Sequence, residues 1–162
     1  MELSKMMQTI REVTSNVLET MFFQVVEVID SKQTIGGWFP QDKQLIWTRL
    51  NFRGPVEGSF CFIISGEDAA AITANFLGLE LEEIENVQRD DTVKEILNMI
   101  GGGTLSKLDK SGAFKLEVPE LVDGADFQSA TMDGESKEFI FIETDHSRSV
   151  AGVVLAPSRQ RQ

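Results

Sequence analysis

The chain has 162 residues, 41% hydrophobic and 25% charged, a composition that fits a folded globular domain and excludes a disordered or membrane-embedded chain. With 26 acidic against 15 basic residues it carries a formal charge of −11. That charge argues against nucleic acid as a partner, because the basic residues do not cluster except at Arg159 and Arg161 in the tail. No apolar run approaches the roughly 20 residues that a membrane helix needs, and Met1–Gln8 lacks the apolar core of a secretory signal. The single cysteine, Cys61, lies inside the apolar run Ser59–Ser65. A lone thiol in such a setting argues against a disulfide framework and predicts a reducing, cytoplasmic compartment.

Along the chain, Ile10, Val13, Val17 and Met21 recur at helical spacing and predict a first long helix. It gives way near Glu27–Asp30 to a turn at Ser31–Gly37 and an extended piece ending at Trp38-Phe39-Pro40. Leu45–Phe52 and Val56–Ser65 are rich in β-branched and aromatic residues and flank Gly54-Pro55, which predicts a hairpin. Phe60–Ile64 shows no polar alternation, as a central strand buried on both faces would not. Ser65 opens a helix with Glu67 and Asp68 in its first turn, and Gly78 is placed to stop it. An acidic stretch from Glu80 to Asp91 leads into a second long helix at Thr92–Ile100, which Gly101-Gly102-Gly103 is expected to end. Extended segments are predicted at Phe114–Val118, Phe127–Met132, Phe139–Glu143 and Val150–Leu155, with a hairpin turn at Asp133-Gly134. No linker divides the chain, so residues 1–157 are expected to form a single domain, with 158–162 a polar tail.

The segment from Ser15 to Phe22 aligns without a gap on the segment from Asp91 to Asn98, with Val17 matching Val93 and Glu19 matching Glu95. Each is followed after roughly forty residues by an apolar strand, the order of elements that an internal duplication leaves behind. The fold expected from this pattern is an α/β (α+β) two-layer sandwich. A largely antiparallel sheet would carry the two long helices, with the halves related by pseudo-twofold duplication.

Asp91, Glu95 and Asn98 fall at i, i+4 and i+7 and therefore on one side of the second helix. Val93, Ile96, Leu97 and Ile100 take the opposite, core-facing side. An acid and an amide thus stand together on the wet face of a rigid element. Polar residues on a wet face are the default for any helix, and Thr92-x-x-Glu95 also matches a capping box, in which Glu95 would only bond a backbone amide.

Asp91-x-x-x-Glu95-x-x-Asn98, followed by Met99 and Gly101 and later by Pro119, resembles the signature of the CheC/CheX/FliY chemotaxis phosphatases and points to a CheX-type member. The stretch from Gly58 to Ile64, then Ser65, Ala70, Ile72, Leu77 and Gly78, resembles the strand and short helix that precede that signature. The likeness spans Val13 to Leu155, although the Asn98–Pro119 spacing is a residue or two shorter than the family pattern. The resemblance implies a phosphatase that hydrolyses the aspartyl phosphate of a CheY-like response regulator. Asn98 would orient the attacking water, Glu95 would dock a lysine of the regulator, and Asp91 would sit at the rim of the contact. It also implies a homodimer with no cofactor of its own, the Mg²⁺ arriving with the regulator. CheC-type members carry the signature on both duplicated helices and CheX-type members on one. Here Phe22 replaces the amide of the first copy beside Ser15 and Glu19, so only the second helix should be active. Phe22 would pack against a neighbouring element or subunit.

Other features carry less. His146 lies in the polar turn Asp145-His146-Ser147-Arg148, where neighbouring residues in sequence do not assemble a triad in space. The glycine run lacks the Gly-Lys-Ser/Thr of a phosphate loop and reads as a helix terminus with room for close backbone approach, and Asp123-Gly124-Ala125-Asp126 lacks the remaining ligands of a calcium loop. Trp38 and Trp47 lie among apolar residues and are expected in the core. The competing function is a non-catalytic regulator-binding module related to flagellar-switch proteins, and an unrelated scaffold with a capped helix is the third possibility.

Overall fold

The computed structural model describes residues 3–29, 31–130 and 136–157. Helix α1 (Leu3–Met21) buries Ile10, Val13 and Val17 as its periodicity predicts, together with Met6, Met7 and Leu18. Met21 is exposed instead, because the helix ends there. The hairpin forms as expected from β2 (Leu45–Arg53) and β3 (Gly58–Ser65), antiparallel with Leu50 opposite Phe60. Ser65 then caps α3 (Gly66–Leu77), its hydroxyl accepting the Asp68 N–H at 3.1 Å. Gly78 closes that helix at φ 69°, a left-handed conformation that costs glycine little.

The second long helix, α4 (Asn86–Leu108), packs against α1 on one face of the sheet. The remaining strands are β1 (Val26–Ile29), β4 (Lys115–Leu116), β5 (Glu120–Val122), β6 (Ser136–Thr144) and β7 (Arg148–Leu155). Among the described residues the seven strands run in the order β1-β6-β7-β3-β2-β4, with β5 also on β2 and every pair antiparallel. The expected helix-on-sheet sandwich is therefore the observed architecture. Phe60, Phe62 and Ile64 of β3 point into the core shared with α1, α3 and α4, while Cys61 and Ile63 point to the other face. Apolar clusters cover both sides, which is why this strand lacks polar alternation.

Several elements differ from expectation. β1 occupies the segment where the first helix was expected to fade, and it sits at the sheet edge beside β6. In place of the extended piece before Pro40 there is a short helix, α2 (Ile35–Trp38), begun by the Thr34 hydroxyl, which accepts the Gly37 N–H at 3.0 Å. Four residues with two glycines are too few to show a helical period. The segment from Phe127 is helical too, as α5 (Gly124–Ala130). Asp123 Oδ1 accepts the N–H groups of Ala125 and Asp126 and so holds the first turn of this helix. Phe127 from α5 is buried against Trp47, while Trp38 is buried beside Phe141 with its indole N–H on the Ser149 carbonyl. The Asp133-Gly134 turn, Met132 and the tail at 158–162 lie outside the described residues.

Candidate functional site

Helix α4 starts six residues before the predicted Thr92 and runs through the glycines to Leu108. Its first turn is organised by Glu85 and Gln88, the Glu85 N–H donating to Gln88 Oε1 at 2.9 Å. Thr92 is therefore an interior residue, and its hydroxyl donates to the Gln88 carbonyl at 3.0 Å. This geometry removes the alternative in which Thr92 and Glu95 form a capping box. Glu95 stands in mid-helix, where every backbone N–H already has an intrahelical acceptor.

The predicted division of the helix holds. Val93, Ile96, Leu97 and Ile100 are buried in the main core, whereas Asp91, Glu95 and Asn98 are exposed. Residues three and four apart on a helix place their Cβ atoms about 5–6 Å apart, so Glu95 has Asp91 and Asn98 as its direct neighbours. Neither Glu95 nor Asn98 forms a side-chain hydrogen bond or ion pair with another described residue. An acid and an amide without internal partners, carried on a helix held by four core side chains, are placed to meet an external group. Val87 is 67% exposed and continues this face one turn before Asp91. It lies before Thr92, where the helix predicted from the sequence begins, and so outside the predicted face.

Of the two expectations for the glycines, the close approach holds and the helix stop does not. Gly101–Gly103 do not end α4 but bring it close to its neighbours. A Cβ on Gly101 would lie 2.6 Å from Leu50 Cδ2 and 3.0 Å from Phe60 Cδ2, and one on Gly103 would lie 2.8 Å from Val13 Cγ1. The site helix is thus seated directly on β2, β3 and α1.

The first copy of the motif offers less. Glu19 is exposed on α1, but Phe22 is fully buried just past the helix end, its ring 4.8 Å from that of Phe76 on α3. Of the two packing partners considered for Phe22, the element of its own chain is the observed one. His146 is exposed between β6 and β7, and the nearby Ser147 hydroxyl pairs with Thr144 at 2.7 Å. Pro119 lies between β4 and β5, beside β2. Burial pushes the Cys61 thiol up to about 12, which makes it a poor nucleophile. Among the described residues no group of three or more His, Cys, Asp or Glu side chains is arranged to hold a metal ion, and no helix is long and apolar enough to cross a membrane.

The family described as chemotaxis phosphatase CheX matches residues 46–143, more than half of the chain. The chain belongs to the CheX family. The matched span contains all of α4, with Asp91, Glu95 and Asn98, but leaves α1 outside it. Solved structures with the same fold include the chemotaxis protein CheX of Vibrio vulnificus, 20% identical with a TM-score of 0.72, aligned over 96% of this chain and 99% of that one. A CheC-like superfamily protein of a Shewanella species aligns over 97% of this chain and 100% of its own, with 19% identity and a TM-score of 0.74. A third is the CheX of Borrelia burgdorferi, solved in a complex with CheY, BeF3 and Mg²⁺. It is 17% identical with a TM-score of 0.67, over 93% of this chain and 97% of that one. No curated protein sequence matches the chain. CheX membership establishes a chemotaxis phosphatase at the level of the family.

Proposed function

We propose that this CheX-family protein hydrolyses the aspartyl phosphate of a CheY-type response regulator, using Asn98 and Glu95. The observation that carries the reading is their joint exposure, without internal partners, on a helix whose opposite side is locked into the core. An amide can donate one hydrogen bond and accept another, so Asn98 can hold a water in line with the phosphorus. The water oxygen attacks phosphorus and the bond to the aspartyl oxygen breaks. The carboxylate leaves and inorganic phosphate is released. Phosphoryl transfer depends mainly on position and on charge stabilisation, and the regulator would bring its own Mg²⁺ for the latter. Glu95 would pair with a lysine of the regulator and fix the angle at which Asn98 enters, with Asp91 at the rim. The complex of a related CheX with CheY supports a partner of this kind.

The deciding experiment follows loss of label from a radiolabelled phospho-regulator mixed with the protein. Rapid loss with the wild type and its absence with Asn98→Ala supports the assignment, whereas wild-type rates with Asn98→Ala would sink it. We also propose a homodimer, for which light scattering should give twice the 18.0 kDa chain mass. A mass near 18 kDa at micromolar concentration counts against that.

A further inference from the structure

Phe23 is the one non-glycine residue among those described with a left-handed backbone, at φ 58°. It follows closely on the end of α1, where glycine is the usual occupant because a side chain crowds its own backbone there. The residue is 73% exposed, and its ring meets no other described aromatic ring. The turn does not need it. Gln24 makes the closing contacts, its N–H donating to the Leu18 carbonyl and its side-chain amide to the Phe22 carbonyl, each at 3.0 Å. A bulky residue held exposed in an unfavourable conformation is a candidate for function rather than folding.

The surroundings say which function. Val13, midway along α1, meets Gly103 in the C-terminal part of α4. The end of α1 meets Phe76 through Phe22, and α3 leads from Phe76 through the 3₁₀ turn at Leu81–Glu83 into α4. Helices α1 and α4 therefore run antiparallel, which brings the end of α1, just before Phe23, toward the N-terminal half of α4 that bears Asp91 and Glu95. Phe76, Leu81 and Val87 are exposed on the elements that join this end of α1 to α4, and Leu81 lines the same cavity as Gln24, the residue after Phe23. An apolar patch of this kind bordering two carboxylates is complementary to a partner face that combines lysine with apolar side chains.

We propose that Phe23 is the apolar anchor with which the protein seats the phosphorylated response regulator, alongside Phe76, Leu81 and Val87. The inference rests on the proposed role of the α4 face in meeting that regulator. Exposed ion pairs contribute little to affinity, whereas a buried aromatic anchor often dominates an interface. Phe23 would thus supply affinity, while Glu95 and Asn98 supply register and chemistry.

The test uses Phe23→Gly, which relieves the left-handed backbone, and Phe23→Asn, which tolerates it. Both are titrated with a CheY-type regulator loaded with BeF3 and Mg²⁺. The expected result is a Kd raised about tenfold or more, as for a lost aromatic anchor. The melting temperature should be unchanged or higher, and single-turnover hydrolysis at saturating regulator should stay within about twofold of wild type. A merely structural Phe23 would instead lower the melting temperature and leave the affinity of the folded fraction intact. Unchanged Kd in both variants overturns the proposal. So does loss of dimer mass with unchanged Kd, which would assign the ring to a second copy of this chain. The titration involves no hydrolysis, so it judges Phe23 even if Asn98→Ala proves active and the catalytic reading fails.

Discussion

Asn98 and Glu95 are one helical turn apart, yet their removal should be felt in different measurements. If Asn98 positions the water, Asn98→Ala leaves docking nearly intact and slows hydrolysis by roughly 10²-fold or more, about 3 kcal/mol for one positioned polar group. Glu95→Ala should weaken binding as well as slow hydrolysis, by a few kcal/mol at most, because the stranded lysine regains water. Both side chains are exposed, so neither change should move the melting temperature; a loss confined to stability would contradict the assignment. Glu19→Ala should leave activity unchanged, since Phe22 is buried where the first copy would need an amide. Cys61 makes a separate prediction about pH. Its folded thiol is pushed up to about 12 from an ordinary value near 9, so below pH 9 it is neutral in both states and contributes nothing. Above that the unfolded chain loses the proton and the folded one keeps it, so stability falls as pH rises from about 9 toward 12. Cys61→Ala should flatten that fall in denaturant titrations. Throughout this range a thiol reagent should modify Cys61 only as fast as the chain opens.

At the scale of elements, α4 gives the sharpest contrast between adjacent positions. Alanine is normally favoured over glycine within a helix by about 1 kcal/mol, and Gly102→Ala should stabilise by roughly 0.5–1 kcal/mol because its Cβ would meet only Leu116 Cδ1, at 3.9 Å. Gly101→Ala should destabilise by about 1–3 kcal/mol despite the same propensity gain. Leu50 is fully buried and backed by Phe60, so neither can withdraw from the new methyl. Thermal unfolding of the two variants decides it, and equal effects would mean that the close approach is not real. The same helix shows what was legible in the sequence. Its buried stripe and its wet face repeat over several turns, and a repeated period survives an error in the boundaries. Its ends are not legible in the same way, because Glu85 and Gln88 are weak caps by residue type and a triple glycine reads as a stop unless the neighbouring surface is known. β1, α2, β5 and α5 are too short for either period to develop; tertiary contacts fix them, as Trp47 does for Phe127. Phe23 was illegible for a related reason, since neither exposure nor φ is written in residue type.

Taken as a molecule, the chain runs twice through a similar order: α1, β1, α2, β2 and β3, then α4, the short β4 and β5, α5, β6 and β7. In the sheet, β3 and β7 lie side by side at the centre, and each half lends an edge strand to the other, β1 to β6 and β5 to β2. We propose that the halves are duplicates related by a pseudo-twofold axis. Superposing them should carry β2 onto β6 and β3 onto β7 with the long helices equivalent, and helices in unrelated places would refute it. Such a duplication would make α1 and α4 equivalent in position, leaving the side chains to decide which one works. The charge of −11 adds a long-range term to that local difference. A partner that presents a lysine to Glu95 approaches a field of opposite sign, which raises the association rate more than the final affinity. Salt shortens the reach of that field from about 10 Å at 0.1 M to about 3 Å at 1 M. Association of the regulator should therefore slow by about tenfold across that range, as expected of a steered encounter, while dissociation changes little. Stopped-flow binding at several salt concentrations checks this. Asn98→Ala should keep the full salt dependence, because the amide is neutral, and Glu95→Ala should lose part of it. An association rate that does not respond to salt would mean that the acidic surface takes no part in docking, leaving Phe23 and its apolar neighbours to guide the encounter alone.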